Sequence, residues 1–293
     1  MLTLEILQKK INTTRDLLSV VKTMKTLAAV NIRQYENAAA SMEEYNTVID
    51  TGWQMLFRNQ NAFPRTRSAS EGIILVLGSD QGMCGQFNDV VLQPALAKKD
   101  ELAERKTKTL FWTVGERIRV AIEDTDQVAE HHSLPGSIPA INSAVQRIVQ
   151  QFESYQRERG IVAFHLLHNK IIKGGTYQPV GRQLLPLDRN WFERFTSRPA
   201  RKSCLPMIGI SREAIFRHLF HQYLFASLYR AFAQSMASEN AARLASMQAA
   251  EKNILEIGEE LQAKYRETRQ STITAELFDI VAGFEALSDQ GFD

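Results

Sequence analysis

The chain has 293 residues, 44% of them hydrophobic, and a formal net charge of +2. That is enough apolar material for one sizeable core or two modest ones, and too little charge for a general polyanion binder, so no nucleic-acid partner is expected. Two cysteines, Cys84 and Cys204, offer neither metal-ligand spacing nor a disulfide framework, no apolar run approaches the roughly 18–20 residues of a membrane span, and Met1 to Lys10 lacks a signal-peptide core. A reducing compartment and no direct membrane insertion are the expectations.

All eight prolines fall between Pro64 and Pro206. The stretches before Pro64 and from Ile210 onward lack that helix breaker, which predicts a long helix at each end around a proline-bearing middle. In the first helix, stepping by three and four from Leu4 gives Leu7, Ile11, Thr14, Leu18, Val21, Lys25, Ala28, Ile32, Tyr35, Ala39, Met42, Asn46, Ile49, Trp53 and Leu56. Only Thr14, Lys25 and Asn46 break the apolar row. An ordinary surface helix drifts off a strict seven-residue repeat, so this row predicts a coiled coil, with a helical bundle as the alternative. Its first half, to Arg33, carries Lys9, Lys10, Arg15, Lys22, Lys25 and Arg33 against Glu5 and Asp16, and its second half is acidic. Most of these charges read as a solvated face. Lys25 differs because it occupies the seam, where a charge implies either an opening of the seam or an acidic partner.

After Asn59 the composition changes. Pro64 to Glu71 reads as a linker, and Ile73 to Leu77 as a buried strand with the unbroken apolar profile of a parallel sheet. Further strands are predicted at Thr109 to Val114 and Ile161 to Leu167, helices near Glu116 to Glu123 and at Pro139 to Arg159, and an edge strand over Thr176 to Leu187. Asp188 to Met207 is expected to be mostly loop. The alternation of strand and helix indicates an α/β domain with a mainly parallel sheet.

The loop Gly78 to Gly85 follows the first strand, where glycines can cradle a phosphate against a helix start. It has neither the Gly-Lys-Ser/Thr ending of a P-loop nor the dinucleotide spacing. Cys84 reads more readily as a small buried residue than as an activated thiolate, since no paired base is in view. His165 and His168 are three apart on a strand and so face opposite ways, and His218 and His221 share a helical face without a third ligand. No catalytic set is apparent.

From Ile210 the next glycine is Gly258. Leu244, Met247, Glu251, Ile254, Gly258, Leu261 and Tyr265 form a heptad row, and the small Gly258 in it predicts close approach of a partner helix. Some 75 residues of helix would run roughly 110 Å, too long for a globular core to surround, so this helix must pair with another or enter another protein.

The segments Ser238-Glu239-Asn240-Ala241-Ala242-Arg243, Ser246 to Ala250 with Asn253, and Arg269 to Leu277 followed by Ile280-Val281-Ala282-Gly283 closely resemble the γ subunit family of F-type ATP synthases. The Met-Lys-x-x-Ala-Ala stretch of that family is matched at Met24 to Ala29, and its Ser-Asp-x-Gly-x-Cys-Gly turn at Ser79 to Gly85. The resemblance covers essentially the whole chain, by layout rather than identity between Glu101 and Ser211. It implies a fold in which the terminal helices, 1–59 and 210–288, form a long antiparallel coiled coil and residues 70–208 form a Rossmann-like α/β domain.

The implied function is that of a central-stalk rotor, which couples rotation of a membrane ring, driven by protons or sodium ions, to conformational cycling of the catalytic subunits. No cofactor and no catalytic centre of its own are implied. The implied partners are the catalytic and nucleotide-binding subunits of the head, the ε subunit and the membrane rotor ring, and the implied location is the cytoplasmic face of the membrane, as a peripheral part of a bound complex. Carried over by motif, Met24, Lys25, Arg33, Arg269, Gln270, Thr274 and Glu276 would contact the catalytic subunits. Ile280, Gly283 and Phe284 would form a top bearing, and Asp188 to Ser211, by position alone, a foot at the ring. Asn31, Gln81 and Phe284 stand where the family commonly has Lys, Arg and a small Ala, which leaves an alternative F-type lineage open. A coiled-coil structural adaptor and an α/β nucleotide-binding enzyme with a helical arm are the competing readings.

Overall fold

The computed structural model describes residues 3–57, 69–160, 162–172, 176–196 and 209–288, with side chains as far as Gly283. Its elements are α1 (Leu4–Phe57), β1 (Glu71–Leu77), α2 (Phe87–Glu104), β2 (Lys108–Val114), α3 (Glu116–Glu123), β3 (Val128–His132), α4 (Ile138–Arg159), β4 (Val162–Ile171), β5 (Tyr177–Leu185), α5 (Arg189–Thr196) and α6 (Arg212–Ser288). The chain divides into two compact units, one drawing on Met1–Leu27 with Ala245–Asp293 and the other on Ala28–Leu244.

The larger unit is built on a five-stranded sheet of order β3-β2-β1-β4-β5. β1 pairs in parallel with β2 and β4, β2 in parallel with β3, and β5 closes the edge antiparallel to β4. Both faces of β1 are covered, which is why its sequence is apolar without alternation. Ile73, Leu75 and Leu77 join Trp112, Phe164 and the buried row Ile141, Val145, Ile148 and Phe152 of α4. Ile74 and Val76 point the other way, onto Val91 and Ala95 of α2 and Ile118 and Ile122 of α3. Two glycines permit the close approach of the loops above β1 and β2. A Cβ at Gly78 would lie 2.4 Å from Ile118 Cβ, and Gly115, at φ 104°, would bring one within 2.9 Å of the Gly78 and Ser79 backbone.

Three elements go beyond expectation, the first being α2, over Phe87–Glu104, which the sequence reading did not name as a helix. The span from Asp188, expected to be mostly loop, contains α5. Asp188 Oδ1 accepts a hydrogen bond from Trp191 N, which caps the helix start. Trp191, Phe192 and Phe195 then lie on one side: Trp191 meets Trp53 edge-on at 5.1 Å, and Phe192 meets Phe57 at 4.9 Å. This aromatic cluster, which also takes in Phe216 at 5.2 Å from Trp53, fastens the end of α1 and the start of α6 to α5. Residues 197–208, the rest of the expected loop and foot, lie outside the described residues. The strand β3 was not foreseen. It is a short edge strand, Val-Ala-Glu-His-His, with most side chains exposed, so it carries no apolar alternation to read.

The heptad row of α1 is borne out residue by residue: every position from Leu4 to Leu56 in that row is buried or half-buried. Within the larger unit its second half runs antiparallel to α6, with Asn31 Nδ2 bonded to Asn240 Oδ1 at one level and Arg212 bonded to the Leu56 carbonyl at the other. Among the described residues no helix is long and apolar enough to cross a membrane.

Candidate partner-binding surfaces

In the smaller unit the first turns of α1 and the distal part of α6 form a two-helix antiparallel coil. Lys25 pairs with Glu251, a Cβ at Gly258 would lie 3.6 Å from Thr14 Cγ2, and Tyr265 lines a groove with Leu4 and Gln8, so rising numbers on one helix meet falling numbers on the other. The row from Leu244 through Tyr265 is inward-facing as predicted and continues through Thr268 to Thr272. Gly258 does sit against the partner helix, with room for a methyl group between them.

Beyond Thr272 the pattern stops. Every residue from Ile273 to Gly283 is exposed, including Ile273 (47%), Leu277 (57%), Phe278 (69%), Ile280 (68%) and Val281 (52%). Helix with so much apolar side chain in water is a surface awaiting a partner, because isolated exposed apolar residues are ordinary but a contiguous set is not. The predicted contact residues flank this surface. Arg269 and Glu276, seven apart, share one side of α6; Gln270 and Thr274 share another, with Thr274 Oγ1 bonded to the Gln270 carbonyl; Ile273, Leu277 and Ile280 lie between. Gly283 has open space around it, and the side chain of Phe284 lies outside the described residues.

Of the residues expected on α1, Met24 and Lys25 are half-buried and Arg33, in the larger unit, is exposed. Lys25 Nζ is taken by Glu251, so the charge read from its seam position has an acceptor inside the chain. Sequence reasoning placed Glu251 in the seam and did not match it to Lys25. The signal was available, since each is a charged residue in an otherwise apolar or small stretch of row.

The turn after β1 spends its polar groups within the larger unit. Asn88 Oδ1 accepts from Ser79 N at 3.0 Å, Asn88 Nδ2 donates to Ser79 Oγ at 2.9 Å, and Ser79 Oγ donates to the Gln81 carbonyl at 3.0 Å. Asp80 caps α3 from outside, accepting from Glu116 N at 2.9 Å, and its second oxygen accepts from Leu134 N. The glycines of the turn therefore serve packing and capping rather than a phosphate cradle. Cys84 is buried against Phe87 and Ala242 of α6. Burial pushes its thiol above the ordinary value, the opposite of activation.

The same face of α6 carries Glu239, whose carboxylate is bonded to Arg243 at 2.7 Å with both side chains nearly covered. Burial raises the Glu239 carboxyl above its usual range, with the Arg243 charge pulling it back. Tyr35 of α1 is raised too, by burial first and by Glu239 second. The histidines behave as read: His165 lies toward Lys98 and Glu101, His168 is bonded to Gln234 of α6, and burial lowers each to about 4. Among the described residues no group of three or more His, Cys, Asp and Glu is set to hold a metal.

Comparison with known proteins agrees with this layout. The family model described as ATP synthase matches residues 3–287. The chain is 27% identical over 288 residues to the ATP synthase gamma chain of Polynucleobacter necessarius, covering 96% of this chain and 98% of that one. It is 29% identical to that of Paraburkholderia phytofirmans, covering 95% and 97%. Among solved structures, a chain of the Euglena gracilis mitochondrial ATP synthase, solved with OSCP, F1 and c-ring, shares the fold with a TM-score of 0.63 at 15% identity, over 99% of this chain and 96% of that one. A chain from the central stalk and c-ring of the Tetrahymena thermophila enzyme does so with a TM-score of 0.55 at 19% identity, over 79% and 99%. With the family model matching it from residue 3 to residue 287 and gamma chains matching it over nearly their whole length, the chain belongs to the ATP synthase gamma chain family.

Proposed function

We propose that the chain is the central-stalk rotor of an F-type ATP synthase, coupling rotation of a membrane ring to conformational cycling of the catalytic subunits. The observation that carries this reading, beside family membership, is the bare apolar tip of α6 beyond Thr272, flanked by polar residues and attached to a two-helix coil. Such a tip suits the inside of a ring of other subunits. The chain supplies contacts rather than bond chemistry. Each orientation of the coil stabilises one conformation of a catalytic subunit over another, and only that difference in contact free energy shifts the equilibrium between them.

In this reading Arg269, Gln270, Thr274 and Glu276 meet the catalytic subunits through polar contacts, Met24 and Arg33 meet them from α1, and Ile280, Gly283 and Phe284 turn in the top bearing. Lys25 joins them only in part, because its ammonium is already engaged by Glu251. The α/β domain stands against the ε subunit and the membrane ring, on the cytoplasmic face of the membrane.

The test is reconstitution of the catalytic and nucleotide-binding subunits of the same organism with this chain and with a version ending at Thr272, which keeps the paired coil and removes the tip. Stoichiometric incorporation, with turnover that depends on the chain and weakens on truncation, supports the rotor. A head that assembles and turns over identically without the chain moves a purely structural adaptor to first place.

A further inference from the structure

We propose that Arg117 supplies the cation of the turn after β1, and that together with Met83 it docks a carboxylate-bearing segment of a catalytic subunit. The choice of partner rests on the rotor reading; the geometry of the turn does not.

No Lys or Arg occurs from Gly78 to Gln86, and Gln81 stands where the family commonly has Arg. A guanidinium reaches the turn from the neighbouring helix instead. Arg117 N donates to the Ser79 carbonyl at 2.9 Å, which fastens the start of α3 to the turn. The Arg117 side chain then lies over Gly82: a Cβ there would stand 3.3 Å from Nη2, 3.7 Å from Cζ and 3.8 Å from Nε. A side chain at position 82 would push the guanidinium aside, so glycine keeps its seat open.

The carboxylates of this region are engaged elsewhere. Asp80 accepts from Glu116 N and Leu134 N, while Glu116 and Glu123 both hold Arg119. Arg117 is exposed, and its side chain makes no hydrogen bond or ion pair among the described residues. A positioned guanidinium with its donors open is suited to a carboxylate, which it can take through two parallel hydrogen bonds. Met83, the residue after Gly82, is 58% exposed and sits at φ 61°, a left-handed backbone uncommon outside glycine. The bonds of Asn88 to Ser79 hold the turn in that shape from within. An apolar side chain held in water next to a free cation suits a protein surface better than a small anion, which would use the charge alone.

The position of the turn along α6 selects the partner. Cys84 is buried against Ala242, and the larger unit ends two residues later, at Leu244. In the rotor reading the coil that begins there enters the head, so the turn stands at the rim of the head. A contact at that rim bears on coupling only if it is made with a catalytic subunit, whose conformations it can then favour unequally.

The test uses heads reconstituted with the full chain. In Arg117→Lys, a carbodiimide, which joins an amine to a carboxylate in contact with it, links position 117 to a catalytic subunit, as read by peptide mass mapping. Arg117→Gln lowers chain-dependent ATP turnover by about tenfold, the size of one lost charge-assisted contact. Adding Gln81→Arg, which returns a guanidinium to the turn, recovers most of that loss. The urea midpoint of Arg117→Gln equals that of the parent, because the side chain has no partner inside the chain to lose. A link from position 117 only to another kind of subunit, or undiminished turnover in Arg117→Gln with no link, overturns the docking role while leaving the rotor reading in place. A lowered urea midpoint with turnover unrelieved by Gln81→Arg also overturns it, since Arg117 then serves the fold. Turnover that never depends on the parent chain sinks the rotor reading, and the assignment of a catalytic subunit as partner falls with it.

Discussion

His168 gives a quantitative test of how tightly β4 is sealed against α6. Its Nε2 donates to Gln234 Oε1 at 3.0 Å, its Nδ1 has no partner among the described residues, and burial, with Lys170, Arg182 and Arg230 adding to it, lowers the imidazole from 6.5 to about 4. A lowered histidine is neutral in the fold and gains its proton more readily when unfolded. The stability it contributes is therefore complete above the unfolded value and is lost as pH falls from 6.5 toward 4. Linkage across that window gives a loss of about 2 kcal/mol between pH 8 and pH 5 and about 3 kcal/mol by pH 4. His168→Gln keeps a donor toward Gln234 and cannot charge. It will cost stability at neutral pH, and its loss between pH 8 and pH 5 will be smaller than that of the parent by about 2 kcal/mol. Urea unfolding followed by tryptophan fluorescence measures this, since Trp53, Trp112 and Trp191 all lie in the same compact unit as His168. Equal losses in the two proteins would refute the burial argument and mean that water or a charge reaches the ring.

Two glycines should respond oppositely to alanine. Gly258→Ala adds a methyl at ordinary van der Waals distance, 3.6 Å from Thr14 Cγ2, so the gain in helix propensity, about 1 kcal/mol, should appear as a higher melting temperature of the coil by circular dichroism. Gly78→Ala places its methyl 2.4 Å from Ile118 Cβ, and a well-packed site that must shift by that much loses about 2–3 kcal/mol, seen as a lower urea midpoint by tryptophan fluorescence.

The terminal helices were legible because their signal is long. Fifteen seam steps from Leu4 to Leu56 average out the interruptions at Thr14, Lys25 and Asn46, and each of those three positions is half-buried in the structure despite its polarity. The buried strands β1 and β4 were legible for the same reason, as apolar runs that need cover on both faces. What escaped were elements whose identity lies in tertiary contact. β3 is strand only because β2 lends it hydrogen bonds, and α5 is held by Trp53 and Phe57, more than 130 residues upstream in sequence. The candidate contacts divide along the same line. Residues of α6 such as Arg269 and Glu276 were identified by motif and lie on the exposed side, whereas the engagement of Lys25 by Glu251 depends on the register of two distant segments, which neither segment states alone.

The central claim is rotation, and it is tested most directly by watching one molecule. With the catalytic head fixed to a surface and a bead attached through Glu158→Cys, at the exposed end of α4, addition of ATP should produce stepwise turning in one direction that stops when ATP is removed. A head that contains the chain and hydrolyses ATP at full rate while the bead shows only Brownian motion would contradict the account.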